Sequence, residues 1–145
     1  MDQGSQSGGL HDSRRSALGW ARVLLFIIIA FAAAFVWLGI VGATSAFLNS
    51  LPGTAVLTLV AAVVWSLMAA GIVHNGRRMR RIAWAAAAVN VIIPIIDLWA
   101  AMPLDTWSPW RSGGVAYWYI PTLVAAVTLW WLYHSSPARL AQQNG

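Results

Sequence analysis

The chain is organised around a basic turn, His74-Asn75-Gly76-Arg77-Arg78-Met79-Arg80-Arg81. This stretch, the arginine turn, holds four of the nine basic residues, and long apolar runs lie on both sides of it. Asn-Gly is a strong turn dipeptide, so two helices joined this tightly are expected to be antiparallel neighbours. The stretch therefore predicts a short cytoplasmic connection between two membrane-spanning helices.

The composition indicates a membrane protein. Of 145 residues, 59% are hydrophobic and only 9% are charged, whereas a soluble domain carries about 25% charged residues. The length suits about four spans of ~20 apolar residues each. The chain contains no cysteine, which excludes disulfides and thiolate chemistry. The arginines flank apolar segments, a placement that fits membrane topology rather than a nucleic-acid surface.

The apolar runs predict an all-α fold, a four-helix transmembrane bundle with spans at about residues 18–41, 54–73, 82–102 and 115–133. Residues 1–16 are predicted to be a disordered cytoplasmic tail, because they are rich in Gly, Ser and Gln. Residues 17–134 form the membrane domain, and 135–145 a short cytoplasmic tail. In this arrangement only Arg111 lies outside, and the other arginines predict that both termini are cytoplasmic.

The first span admits a second interpretation. Ser13-Arg14-Arg15-Ser16 loosely resembles a twin-arginine signal, and Ala43-Thr44-Ser45-Ala46 has the small residues of a cleavage site. The apolar stretch is far longer than a signal core of about 7–15 residues, which favours an uncleaved span. Within it, Ala30-xxx-Ala34 and Gly39-xx-Gly42 are spaced for close helix packing.

The third span carries polar residues on one face. Asn90, Pro94 and Asp97 are spaced four and three residues apart, so they share one side of a helix. A carboxylate inside a membrane is costly and indicates a functional group, here a proton or cation carrier. The alternative is that Asp97 reaches the outer interface and pairs with Arg111, or accepts a hydrogen bond from a Trp or Tyr.

The predicted outer loop, residues 103–114, is rich in aromatic residues. Trp107 and Trp110 lie in it, and three further aromatic residues follow, Tyr117, Trp118 and Tyr119. Trp and Tyr favour the membrane interface, so anchoring explains the cluster, while a lipid or carbohydrate-like ligand stacked on the rings is the alternative. The best candidate ligand or proton site therefore consists of Asp97, Asn90, Arg111, Trp107 and Trp110.

The arginine turn should also attract anionic lipid head groups, through Arg77, Arg78, Arg80 and Arg81. No cofactor or metal is predicted, because the three histidines lack ligand spacing and no phosphate-binding or zinc motif is present. No Ser/His/Asp set falls within one membrane depth, and catalysis needs groups within hydrogen-bond reach. The sequence therefore predicts a protein that is not an enzyme.

Several stretches resemble a group of small four-span actinobacterial integral membrane proteins. The resemblance covers about the C-terminal half and is carried by residues 75–84, Thr106-Trp-Ser108, Tyr117, Tyr119-Ile-Pro121 and Leu129-Trp-Trp-Leu132. It implies four spans and a bacterial plasma (inner) membrane. It carries over no active-site residue, and Asp97 lies outside the residues that support it.

Two functions are compatible with these features. The first is a non-catalytic membrane protein that acts by association, as an accessory subunit or envelope-assembly factor, with a membrane-protein partner or a second copy of itself. The second is a small carrier or lipid- or glycolipid-handling protein that uses Asp97. Four spans are few to enclose a pathway, so the second hypothesis requires an oligomer. Neither involves nucleic acid.

Overall fold

The computed structural model describes residues 9–74 and 76–135, with side chains from residue 19 onward. This part of the chain is an all-α bundle without strands, as predicted. Four helices succeed one another along the chain: α1 (Gly9–Leu48), α2 (Pro52–Val73), α3 (Arg77–Trp99) and α4 (Ile120–His134). Two short 3-10 turns, Arg111–Gly113 and Val115–Tyr117, precede α4.

Three helices are long and apolar enough to cross a membrane: Gly19–Leu48 within α1, all of α2 and all of α3. A fourth span exists if the 3-10 segment Arg111–Tyr117 is counted together with α4, from which it is bent by 110°. The described part of the chain is therefore that of a helical membrane protein with three or four candidate spans.

Helix α1 differs from its predicted bounds at both ends. Among the described residues it runs from Gly9, and no proline interrupts its backbone hydrogen bonds. It therefore includes residues 9–16 of the predicted tail, while residues 1–8 and the predicted C-terminal tail from 136 onward lie outside the described residues. It ends at Leu48, so the outer connection is only residues 49–51 and not 43–53. Ser50 closes this turn with a left-handed φ of 59°.

The proposed cleavage motif lies inside α1. Ala43 and Ala46 are buried there and pack against Ala55 of α2. The small residues of this stretch thus have a packing role, because they allow the two helices to approach closely. The same holds for Gly39, where an added Cβ would lie 2.9 Å from the Cβ of Ala62.

Helices α2 and α3 form a hairpin across the arginine turn. Gly76 precedes α3 in an extended conformation (φ −89°, ψ 159°), while Asn75 lies outside the described residues. The helices approach most closely near the turn, where a Cβ on Gly71 would lie 2.7 Å from both the Ala83 Cβ and the Met79 carbonyl oxygen. Glycine is required at position 71 because any side chain there would separate the two backbones.

Helix α3 covers residues 77–99 instead of the predicted 82–102. It begins earlier because arginine is a good helix former. It ends earlier because Pro103 disfavours helical backbone at the residue before it. Ala100, which follows the helix, already has a non-helical backbone (φ −131°, ψ 81°).

The predicted fourth span, 115–133, is a continuous α-helix only from Ile120 onward. Helix α4 has 15 residues, which corresponds to about 22 Å at the helical rise and is shorter than a hydrocarbon core of about 30 Å. The backbone before it is left-handed at Trp118 (φ 58°) and Tyr119 (φ 60°), which breaks helical geometry. Pro121 then occupies the first turn of α4, where its missing N–H costs little.

The core lies between all four helices, and Val124 is the buried residue that α4 contributes to its main cluster. Phe35 of α1 packs on Trp65 of α2 with ring centroids 5.1 Å apart, and on Tyr117 at 5.2 Å. Small side chains of α3, Ala83, Ala86 and Ala87, are buried opposite them. Consecutive helices pack along each other, whereas α1 and α4 touch at few points. Much of the outward surface of α1 therefore faces the surroundings of the bundle.

Candidate functional site

Asn90, Pro94 and Asp97 do share one face of α3, as the spacing predicted. All three are buried and point into the bundle. Pro94 lies inside the helix and removes one backbone donor there. This face meets the segment that links α3 to α4, residues 100–119, which we call the outer cap.

The Asp97 carboxylate joins two distant parts of the outer cap to the end of α3. Its Oδ1 accepts a hydrogen bond from the Met102 backbone N–H at 2.8 Å, and its Oδ2 accepts one from the Ser112 N–H at 2.6 Å. Hydrogen bonds to a charged acceptor are stronger than neutral ones, especially where water is excluded. Asp97 therefore fixes both the start of the cap and its first 3-10 turn.

The predicted pairing of Asp97 with Arg111, or with a Trp or Tyr donor, is not found. Among the side chains that the structure describes, no ion pair joins the two residues, and the partners of Asp97 are backbone groups. Arg111 instead donates from Nη1 to the Leu104 carbonyl oxygen at 2.6 Å. This hydrogen bond joins two parts of the outer cap to each other.

Trp110 lies in the interior and not in an interfacial belt. Its ring is fully buried, and Nε1 donates to Oδ1 of Asn90 at 2.9 Å. The Asn90 amide also donates weakly to the Met68 sulfur at 3.8 Å. A buried amide oxygen needs a donor, and the folded-back cap supplies the indole N–H. The sequence-based assignment of Trp110 to the outer aromatic belt is therefore corrected.

Trp107 is exposed, and its place in an aromatic belt stays a prediction. Its side chain is 59% exposed, and only its backbone is engaged. Its N–H donates to Asp105 Oδ2 at 3.1 Å, and its carbonyl accepts from the Tyr117 hydroxyl at 2.7 Å. Trp107 and Trp110 thus face different surroundings, and the five predicted site residues do not converge on one open pocket.

The cap turns sharply at a run of left-handed backbone. Ser112 has a φ of 47°, and Gly113 and Gly114 follow at 74° and 85°. Thr122 of α4 donates to the Gly113 carbonyl at 2.8 Å and so ties the turn to the helix. Sequence reasoning missed the roles of Ser112 in the cap and of Thr122 in α4, although the Gly113-Gly114 pair signals a turn.

The hollow beside the cap is small. It lies between α1, α2 and the cap, with Asp105, Thr58 and Ser108 among its lining residues, and holds about 10 Å³. That volume suits roughly one water molecule. Shallower depressions lie on the outward faces of α1 and α2, one of them lined by Ile29, Val36, Trp37 and Ser66.

The arginine turn divides into two parts. Arg80 donates from Nη2 to the Leu132 carbonyl at 2.8 Å and to the Ser135 hydroxyl at 2.7 Å, and so caps the C-terminal end of α4. Arg77, Arg78 and Arg81 are exposed. The predicted lipid-contact set therefore contains one arginine that is engaged inside the protein and three that face outward.

His74 and His134 contact carbonyl oxygens of their own helices. His74 Nδ1 lies 3.0 Å from the Ala70 oxygen, and His134 Nδ1 lies 2.9 Å from the Trp130 oxygen. In the described residues, no group of three or more His, Cys, Asp or Glu side chains is arranged to hold a metal ion.

Comparison with family models, with curated proteins and with solved structures found no match to this chain. The resemblance to four-span actinobacterial membrane proteins therefore stays a prediction, and the function must be argued from the site itself.

Proposed function

We propose that the protein is a non-catalytic membrane protein that acts by association, as an accessory subunit or envelope-assembly factor. The observation that supports this proposal is the state of the candidate site. Asp97, Asn90 and Arg111 each contact a group of the outer cap, so their polar atoms serve the fold. If these three groups serve the fold, the function is carried by other parts of the surface.

The alternative carrier hypothesis has weaker support. A carrier needs a carboxylate that exchanges a proton or cation, and such a group must change its partners during transport. Asp97 accepts two backbone N–H groups at 2.8 and 2.6 Å, and both belong to the segment that covers it. Transport through this group would require the cap to open.

The outward face of α1 supports association. Ala30 and Ala34 are exposed there, and Trp37, one turn further along, is 69% exposed. Residues spaced three or four apart lie on the same side of a helix. Small residues allow another membrane helix to approach closely. In lipid no hydrophobic force drives such residues into the interior of the bundle, so an exposed row of them can pack against a partner helix. Because α1 has few contacts with α4, this face is open to a partner.

The membrane and the orientation belong to the same proposal. The excess of arginine at the ends of α1, α3 and α4 supports a plasma membrane location with both termini in the cytoplasm. The resemblance of the C-terminal half to bacterial membrane proteins supports the same location.

The test is native purification in lipid nanodiscs, followed by mass spectrometry of every component that stays bound. We expect a stoichiometric protein partner, or a second copy, with the wild-type chain. Ala34→Leu should reduce that partner at least tenfold because it fills the α1 face. Ala126→Leu is the matched control, since Ala126 is exposed on α4.

Two outcomes would contradict the proposal. A monomer without any bound protein would remove association as the function. A defined lipid or glycolipid that is retained by the wild type and lost in a stably folded Asp97→Asn variant would establish the carrier alternative.

A further inference from the structure

The three outward arginines lie on the side of α3 that is opposite the core. Successive residues of a helix are rotated by about 100°, and the buried residues of α3, from Ala83 to Asp97, all fall on one side. Arg81 lies almost diametrically opposite their centre, with Arg77 and Arg78 on either side of it. Arg80 is rotated away toward α4, where its guanidinium caps that helix.

The positive charge of this surface is not neutralised in the described part of the protein. No carboxylate lies within ion-pair distance of Arg77, Arg78 or Arg81 among the described side chains. On α3 the nearest carboxylate is Asp97, sixteen residues from Arg81, or about 24 Å along the helix. At physiological ionic strength, charges that far apart are screened, because the Debye length is about 8 Å.

The surface that follows the arginines along α3 is apolar and shallow. Ala85 is exposed and Ala88 half-buried on the same outward side, and Ile92, two turns further from the arginines than Ala85, is 53% exposed. We call this row of outward residues the apolar lane. Trp84 lies beside it and is 52% exposed. An indole beside basic residues is typical of the head-group level of a membrane. An anion bound here would have an apolar lane directly beneath it.

We propose that Arg77, Arg78 and Arg81 bind the phosphate of an acidic phospholipid, whose acyl chain lies along the Ala85–Ala88 lane. Guanidinium groups donate paired hydrogen bonds to phosphate oxygens, which a point charge does not. The charge complementarity and the adjoining lane favour a lipid over free phosphate. Arg80 does not take part, because it is held at the end of α4. This inference does not rest on the association proposed above.

The experiment compares single arginine variants in nanodiscs of equal parts phosphatidylcholine and phosphatidylglycerol. Native mass spectrometry after transfer to mild detergent gives the ratio of the two lipids retained. We expect the wild type to retain phosphatidylglycerol preferentially, and Arg81→Gln to reduce that preference about fivefold, as one arginine at a membrane surface contributes about that factor. Arg77→Gln combined with Arg81→Gln should reduce it roughly twentyfold.

Two arginines provide matched controls. Arg80→Gln should keep the lipid preference while faster hydrogen exchange appears at the end of α4, because it removes two hydrogen bonds to that helix. Arg22→Gln removes an exposed arginine from α1 and should also keep the preference. Each single variant retains at least three of the four arginines of the turn and the double variant retains two, so the excess of arginine that sets the topology is kept.

The proposal is overturned by any of three results. The wild type retains the two lipids equally; Arg22→Gln or Arg80→Gln reduces the preference as much as Arg81→Gln, which indicates general surface charge; or excess inorganic phosphate displaces the lipid at the wild-type site, which indicates a phosphate site without a lipid requirement.

Discussion

At the scale of single residues, Asp97 is the link on which the outer cap depends. Its two oxygens accept the Met102 and Ser112 N–H groups, and hydrogen bonds to a charged group contribute about 1.5–3 kcal/mol each. In Asp97→Asn one oxygen becomes an NH₂ that faces a donor, so we expect a loss of about 3 kcal/mol, measured by thermal unfolding in detergent. Arg111→Gln, which breaks one bond of an exposed side chain, should cost about 1 kcal/mol. Unchanged stability of Asp97→Asn would argue against this structural role.

Two buried tryptophans allow the Asn90 hydrogen bond to be measured separately from packing. Trp110 and Trp65 are 0% and 1% exposed, but Trp65 Nε1 has no partner in the described part of the chain. Replacement by Phe removes a similar volume from both sites, and only Trp110→Phe leaves the Asn90 oxygen unpaired. We expect Trp110→Phe to be more destabilising than Trp65→Phe by about 1–3 kcal/mol. Equal losses in denaturation experiments would show that the bond contributes nothing.

At the scale of elements, the α2–α3 hairpin depends on a glycine. The Cβ of Gly71→Ala would lie 2.7 Å from the Met79 carbonyl oxygen, so the helices must separate. We expect a loss of about 1–3 kcal/mol, as for other overpacked sites. Gly53→Ala, where nothing lies within 4 Å of the added Cβ, is the control. It should raise stability by up to about 1 kcal/mol through helix propensity. A thermal shift assay distinguishes the two, and an unchanged melting temperature for Gly71→Ala would contradict the packing argument.

The elements also show what the sequence can predict. The predicted bounds of α2 lie within two residues of the observed bounds, and each of the other predicted spans contains one helix. These features were predictable because the length of an apolar run is a local property of the sequence. The bend before α4 was not predicted, since Trp118 and Tyr119 carry no residue-type signal for left-handed backbone. Pro121 and the Gly113-Gly114 pair were the available signals, and they were outweighed by the apolar run.

In the candidate site, too, some features were predictable from the sequence and others were not. Helical spacing alone predicted that Asn90, Pro94 and Asp97 share one face of a helix, and the structure shows that this face is buried. The partners were not predictable, because charge favoured Arg111 while the actual donors are the backbone N–H groups of Met102 and Ser112. Every residue except proline has a backbone N–H, so nothing in the sequence distinguishes these two.

At the scale of the whole molecule, the distribution of the arginines predicts how the protein is oriented in the membrane. The chain has no cysteine, so single cysteines can be introduced without background labelling. We expect Thr106→Cys, on the exposed part of the outer cap, to react with a membrane-impermeant maleimide in intact cells. His74→Cys should react only after the membrane is permeabilised. The reverse labelling pattern would overturn the orientation, and the unmodified chain is the control for specificity.

The dependence of α3 on the outer cap has a consequence for biosynthesis. Asn90 leaves the ribosome 20 residues ahead of Trp110, whose indole N–H donates to the Asn90 oxygen. The synthesis of these 20 residues takes about one to four seconds. During that interval the Asn90 amide oxygen lacks its indole donor and the Asp97 carboxylate lacks the Ser112 N–H, and a lipid environment penalises both. We therefore expect nascent α3 to remain beside the insertion machinery until the cap emerges. A chain that terminates before Trp110 would be a substrate for membrane quality-control proteases, even though three complete apolar helices have already been made.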